Sequence, residues 1–201
     1  MTCATSDITI QKGETYSQVL RWESEPFVYK AITGITAAAP AVVTAVGHSV
    51  PDGWRVAVVS AGGMRQINAK NNPPLADEFV RATVLTVDTV ELNAVNSADY
   101  TAYTSGGYLQ YYTPVSLTGF TARMQVRATA ESTGTALLDI DTDSEIVLDN
   151  TAKTITITLT AAVTAALTFT TGVYSLEMVS SGGVVTQLLT GNVTVLSEVT
   201  R

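Results

Sequence analysis

Few residues in this chain are of the type and spacing that does chemistry. The segment Asp139-Ile140-Asp141-Thr142-Asp143-Ser144-Glu145 sets acids at alternate positions, as a loop does when it wraps oxygen ligands around calcium. Asp139, Asp141 and Asp143 are therefore a candidate weak cation site. The pattern departs from a calcium loop at two places. Ser144 stands at the sixth position, where glycine makes the sharp bend, and Asn150 at the twelfth, where a bidentate carboxylate is needed. The alternative is a strand with Leu138 and Ile140 turned inward and the acids along its solvent face and turn.

His48 is the sole histidine, with Ser49 and Asp52 close by in sequence. A Ser/His/Asp relay needs these groups adjacent in space, so the stretch reads as a polar turn before a hairpin. With one histidine and one cysteine, Cys3, the chain lacks the His and Cys set that zinc sites ordinarily use, and it can form no intramolecular disulfide. Glu23, Glu25, Asp77, Glu78 and Asp99 supply carboxylates, but sequence alone spaces no pair of them for glycoside cleavage. Asp77-Glu78 reads as a solvated strand end. Gly62-Gly63 and Gly106-Gly107 lack the lysine of a phosphate loop and read as turns. No acid, base and nucleophile assemble, so a non-enzymatic protein without cofactor is expected. Tyr100, Tyr103, Tyr108, Tyr111 and Tyr112 cluster instead. Tyrosines amid low charge suit an interface or sugar stacking, and some must fill a core, since Tyr108 and Leu109 cannot share a strand face.

The elements that position these residues are short strands. The chain has 201 residues, 46% of them hydrophobic and only 14% charged, enough apolar content for real cores. A net charge of −7 with scattered Lys and Arg argues against nucleic acid as partner. The run TAAVTAALTF at 160–169 is too short and Thr-rich to span a bilayer, so no membrane role is expected. The beginning of the sequence shows neither a basic leader nor an apolar core segment. A soluble protein made in a cytoplasm is the expectation.

Asp7–Ile10 and Thr15–Trp22 alternate around a turn at Gly13, with Tyr16, Leu20 and Trp22 in one register and Trp22 as a core anchor. Phe27–Ala31 is a third run. From Ile32 the texture changes. Pro51-Asp52-Gly53 and Asp88-Thr89 read as turns, Gly106-Gly107 as a hairpin turn before YLQYY, and MRQINAK at 64–70 as a helical turn. About five or six short strands there fit a small closed barrel. Alternation resumes at Phe120–Arg127. Leu137–Ile140, Glu145–Leu148 and Thr154–Thr160 follow, then a helical corner at Ala161–Leu167 capped by Thr160. A hairpin turns across Ser181-Gly182-Gly183, and Gly191–Leu196 completes the set. Both flanks together give roughly seven to nine strands, as in a sandwich.

The phrases DITIQKGETYSQVLRW, LTGFTARMQVR, ITITLTAAVTAAL and GVYSLEMVSSGGVVTQLLTGNVTVLSEVTR resemble small immunoglobulin-like virion proteins of tailed bacteriophages. Asp7, Gly13, Thr118, Gly119, Arg123, Met124, Arg127, Gly172, Tyr174 and Gly191 carry that pattern. The intervening phrases, ITGITAAAPAVVTAVGHSVPDGWRVAVVSAGGMRQIN and FVRATVLTVDTVELNAVNSADYTAYTSGGYLQ, resemble the small barrel repeats of phage tail proteins. These are similar to the first-catalytic-cysteine-half barrel of ubiquitin-activating enzymes. No cysteine lies in this stretch, so no ubiquitin chemistry follows.

The expected fold is therefore all-β. Residues 1–31 and 112–201 form a discontinuous immunoglobulin-like β-sandwich anchor, and residues 32–111 an inserted small β-barrel. The resemblance implies a structural protein of the virion, made in the bacterial host cytoplasm. It would bind other capsid, neck or tail subunits, and copies of itself, by protein–protein contacts. The alternative is a host-recognition or carbohydrate-binding module using the inserted tyrosines.

Overall fold

A computed structural model describes residues 3–198, and their regular structure is almost entirely strand. The chain is all-β. It forms two compact units that divide at Trp22/Glu23 and Val115/Ser116.

The first unit contributes β1 (Ala4–Thr5), β2 (Ile8–Gln11) and β3 (Tyr16–Leu20) before the division. The second unit holds β4 (Glu23–Ala31), β5 (Gly34–Ile35), β6 (Ala41–Thr44), β7 (Arg55–Val59), β8 (Val80–Val84), β9 (Thr89–Leu92) and β10 (Tyr108–Pro114). After it come β11 (Thr121–Arg127), β12 (Leu138–Asp141), β13 (Ile146–Asp149), β14 (Thr154–Leu159), α1 (Ala161–Ala165), β15 (Thr171–Val179) and β16 (Val185–Leu196).

In the first unit a six-stranded sheet runs β1-β16-β15-β11-β12, with β2 also on β16, and a three-stranded sheet runs β13-β14-β3. Alternation decides which face each strand buries. In β14 Ile155, Ile157 and Leu159 are buried while the intervening threonines are not. Met124 and Val126 of β11 and Tyr174, Leu176 and Met178 of β15 do the same for the larger sheet. Trp22 is buried edge-on against Phe120, ring centroids 5.5 Å apart. Thr160 caps α1 by accepting from the Val163 N–H, at 3.3 Å.

One expected pairing does not form. The turn at 11–14 is present, with the Glu14 N–H donating to the Gln11 carbonyl, yet β2 and β3 are not a hairpin. β2 runs parallel to β16 and β3 antiparallel to β14, so the turn carries the chain from one sheet to the other. β12 and β13 are likewise sequential strands in different sheets. Local turn chemistry reports a reversal of direction without saying which sheet receives the second strand. Gly191 in β16 matters for the first strands: a Cβ there would lie 2.0 Å from the Ser6 carbonyl oxygen. Only glycine lets the 4–8 segment run this close.

The second unit is one seven-stranded sheet in the order β4-β10-β7-β8-β9-β6-β5. Its two end strands, β4 and β5, are separated in the chain by only Ile32 and Thr33, so the sheet must curl back on itself. At that point the Ile32 N–H donates to Gly107 and the Thr33 N–H to Thr44, which passes the segment from one edge to the other. Inside the curl lie Val43, Trp54, Val56, Val58, Val90, Leu92, Leu109 and Tyr111. The 64–70 stretch contains a single 3-10 turn, Arg65–Ile67, and a second spans Ala76–Glu78.

Two sequence readings need correction here. The seam was expected at residues 31/32 and 111/112, but β4 and β10 pair over their whole length, from Tyr108 with Ala31 to Pro114 with Glu23. A ladder of that length belongs to one cooperative sheet, so both strands fall in the second unit. Gly106-Gly107 does not turn a hairpin either, because β10 pairs with β4 and β7, neither of them its chain neighbour. Gly107 has φ +86°, and a Cβ there would lie 2.7 Å from the Ala61 Cα. The glycine serves a close approach.

Candidate functional site

The strongest concentration of chemistry lies on the outer face of the second unit, across β4, β10, β7 and the start of β8. Leu109 and Tyr111 of β10 point into the curled sheet, which by alternation turns Tyr108, Gln110 and Tyr112 outward. Register sets their neighbours. Tyr112 is opposite Phe27, and Gln110 lies between Tyr29 and Ala57. Val56 pairs with Val80, so the next step along the ladder brings Phe79 beside Ala57.

The rings converge. Phe27 and Tyr112 have centroids 4.4 Å apart, Phe79 and Tyr112 5.4 Å, and Phe27 and Phe79 stack at 6.2 Å. Two strands separate β4 from β8 in the sheet, a span of about 14 Å at normal strand spacing. The phenylalanines therefore lean toward each other over β10 and β7 and roof them. Tyr29 and Tyr108 extend the band, edge to face at 6.2 Å, and remain 49% and 47% exposed.

Charge borders this band without entering it. The Arg55 guanidinium lies 5.3 Å from the Phe79 centroid and 5.1 Å from that of Tyr112. Its Nε donates to both Glu23 carboxylate oxygens, at 2.8 and 2.7 Å, and Nη2 donates to Oε2. Gln110 is the anomaly. It is 0% exposed, and neither its Nε2 nor its Oε1 has a hydrogen-bond partner.

Among the sequence-selected tyrosines, the structure brings Tyr108 and Tyr112 together on this face. The Tyr103 hydroxyl lies 2.9 Å from the Ile32 carbonyl and 3.0 Å from that of Gly106, packing the ring at the junction where the sheet curls. The Tyr111 hydroxyl donates to the His48 carbonyl inside the curl, and burial pushes its pKa up to about 12. Tyr100 sits in the 97–100 turn, its N–H donating to Ser97. Phe27, Tyr29, Phe79, Arg55 and Gln110 were not singled out from sequence, and Glu23 was noted only as one of several carboxylates. Period-2 spacing of Tyr108, Gln110 and Tyr112 was a usable signal for the face, but the pairing partners on β4 and β7 were not readable.

The other candidates resolve into local structure. Asp139 accepts from Gln125 Nε2 at 2.9 Å on the outward face of β12. Asp141 accepts from the Asp143 N–H at 2.8 Å and from the Ser144 hydroxyl at 3.2 Å. Among the described residues no group of three or more His, Cys, Asp or Glu is gathered as metal ligands are. His48 is 2% exposed; its Nδ1 accepts from the Val50 N–H and its Nε2 donates to the Thr86 carbonyl, both at 3.0 Å. Asp52 accepts from the Val84 N–H and Ser49 donates to Gly47, so the three residues form no relay. Glu78 does more than end a strand. It accepts from the N–H groups of Leu75, Lys70 and Asn71 and from the Asn71 amide. Those bonds, the Leu75 N–H first, hold its pKa below the ordinary carboxylate value.

In the first unit a trough of about 500 Å³ crosses the outward face of β11, β15 and β16, with Gln125, Arg127, Glu177, Gln187 and Asn192 around Ser175. Its groups satisfy one another. Arg123 bridges to Glu177 at 2.7 Å, and Arg127 donates to Gln125, Ser132 and Gly134. Among the described residues no helix is long and apolar enough to cross a membrane.

No protein-family model matches the chain, and a search of curated proteins finds no match either.

Proposed function

We propose that this chain is a non-enzymatic structural part of a tailed-bacteriophage particle. It assembles by protein–protein contacts in the capsid surface, the neck or collar, or the tail, and does so as a homo-oligomer. In this reading the first unit is an immunoglobulin-like sandwich that anchors the chain, and the second is a small barrel of the phage-tail type that presents a contact surface. The protein is made in the bacterial host cytoplasm and resides in the virion.

The observation that carries the reading is the interruption itself. The chain leaves the first unit after Trp22 and re-enters it at Ser116, so a whole folded unit is carried between β3 and β11. Insertions of this size sit on scaffolds whose loops bear the variable contacts. The phrases flanking the interruption are also those that resemble phage virion proteins. Surface chemistry is consistent with assembly. The three-stranded sheet ends in open strands β3 and β13, and Val147, Thr156 and Val19 form one cross-strand row on its outward side. Val19 and Val147 are 50% and 61% exposed. Open edges with few charged side chains favour strand addition or packing against a neighbour.

Cryo-electron microscopy and mass spectrometry of purified particles test the proposal. The expected result is density for both units at a symmetry-related position. Particles that are complete and infectious without the chain would sink it. Sedimentation of the isolated protein adds a second check, with a closed oligomer expected.

A further inference from the structure

The outward face of the three-stranded sheet in the first unit is complementary to itself. Ile155, Ile157 and Leu159 of β14 turn into the core, so Thr154, Thr156 and Thr158 turn out. Register extends the face to both neighbours. Val147 and Val19 flank Thr156, Asp149 stands beside Thr154 on the β13 edge, and Ser17 beside Thr158 on the β3 edge. Val147 and Val19 are 61% and 50% exposed, although valine in a strand gains by packing. Charge on this face is ordered by edge. Glu145 marks the Thr158 end of the β13 edge, its carbonyl accepting from the Thr158 N–H at 2.9 Å, and Asp149 marks the other end. On the β3 edge Ser17 is neutral, and Arg21 follows Leu20 at the Thr154 end. One edge is therefore acidic and the opposite edge neutral to basic.

We propose that two copies of this chain pack these faces together about a two-fold axis that lies between the sheets and runs along β14. The inference rests on the homo-oligomer in the function proposed above and names its interface. The axis carries β13 over β3 of the second copy. Val147 then meets Val19 of the second copy, and Val19 meets its Val147, while Thr156 meets its own counterpart on the axis. Asp149 falls over Arg21 of the second copy, and Glu145 over its Ser17. Stacked sheets sit about 10 Å apart, at a small angle set by their twist. Charge selects this axis. The other in-plane axis, across the strands, would lay β13 on β13 and set Asp149 against Glu145 of the second copy twice, a like-charge contact with nothing to offset it. Each feature thus finds its complement on the same surface, as an isologous contact requires. A face three strands wide and about five residues long spans roughly 14 by 17 Å. That is smaller than a standard interface, so the dimer is reversible and concentration-dependent.

Sedimentation equilibrium of the full chain, from micromolar to submillimolar concentration, tests it. V19K and V147E each set a lone charge against an aliphatic side chain of the second copy and should weaken association by about tenfold or more. The double variant V19K/V147E should recover most of that loss, because about this axis the introduced charges face each other twice. About the other axis each would face its own kind, and no recovery would follow. Within one chain β14 holds the two positions about 10 Å apart, so recovery reports the contact between copies. Both positions are exposed, and unfolding followed through Trp22 confirms that each variant folds. A chain that stays monomeric, association unchanged by either single variant, or a double variant no better than the singles would each overturn the proposal. A chain found in particles that gives any of these results sinks this interface and leaves the virion reading standing.

Discussion

Replacing Gln110 by leucine should stabilise the second unit. Gln110 is 0% exposed, and its Nε2 and Oε1 both lack a hydrogen-bond partner. An unsatisfied buried polar atom costs about 1–3 kcal/mol, while leucine fills a similar volume without polar atoms. Two effects reduce the gain. The amide N–H groups recover about 0.5–1 kcal/mol wherever they meet the surrounding ring faces, and the branched leucine does not reproduce the planar amide's packing. The net expectation is a gain of roughly 1–2 kcal/mol. For a unit of this size that raises the melting temperature by about 4–8 °C per kcal/mol. The assay is thermal unfolding followed through Trp54, which is fully buried in the second unit, in a Trp22→Phe background that silences the first. A loss of 1 kcal/mol or more in Gln110→Leu would refute the reasoning, because it would mean that the rings already satisfy the amide. Gln110→Glu is the sign control. It places a carboxylate in the same unpaired setting and should destabilise strongly at neutral pH.

Alkali should weaken both units through buried tyrosines. Tyr111 and Tyr174 have pKa values pushed up to about 12, in each case chiefly by burial, with the charges of Tyr16, Asp7 and Cys3 adding at Tyr174. A raised pKa means the stabilisation is complete below about pH 10, where the unfolded tyrosine ionises, and is lost as pH rises through the folded value. Urea unfolding between pH 9 and 12 should show this, and Tyr111→Phe should flatten the slope for the second unit alone; an unchanged slope would be fatal to the argument. Gly191→Ala would set a Cβ 2.0 Å from the Ser6 carbonyl, so it should cost roughly 1–3 kcal/mol and speed amide exchange in 4–11, whereas a neutral result would mean β1 and β2 shift freely. Glu78 gives the opposite pH sign. Its lowered pKa makes its contribution full above the ordinary carboxylate value and lost on acidification through the folded one. Protection of the Lys70, Asn71 and Leu75 amides, taken relative to their intrinsic exchange rates, should therefore fall on acidification in the parent and be low and pH-independent in Glu78→Gln.

Legibility from sequence followed the range of the interaction. Period-2 alternation marked Thr154–Thr160 and Phe120–Arg127 as strands with one buried face, because side-chain direction in a strand is a local property. The hairpin of β15 and β16 was readable for the same reason: its turn, Ser180–Val184, holds the chemistry of the reversal. What failed was pairing between strands distant in the chain. The turn at Gly13 gave no sign that β2 joins β16 while β3 joins β14. Nor did the sequence show that β4 and β10 zip together along their length, which moves the division of the chain from 31/32 and 111/112 to Trp22/Glu23 and Val115/Ser116. The candidate site failed in the same way. Five tyrosines were visible as a cluster along the chain, but a face is a set of cross-strand neighbours. Phe27, Tyr29 and Phe79 enter it from strands whose partners no local pattern names.

The two halves of that face pull against each other, and the conflict is informative. Phe27, Phe79 and Tyr112 pack as a second small core outside the curled sheet, with Arg55 laid against it and tied to Glu23. A face evolved only for stability would place an apolar residue under such a roof, since aromatic cover removes the water that a polar group needs. Gln110 stands there instead, beside the two tyrosines that stay half exposed. Sites that violate local packing logic are where a sequence gives up stability for function. Gln110→Leu should therefore raise the melting temperature of the second unit, because it removes two buried polar atoms that have no partner.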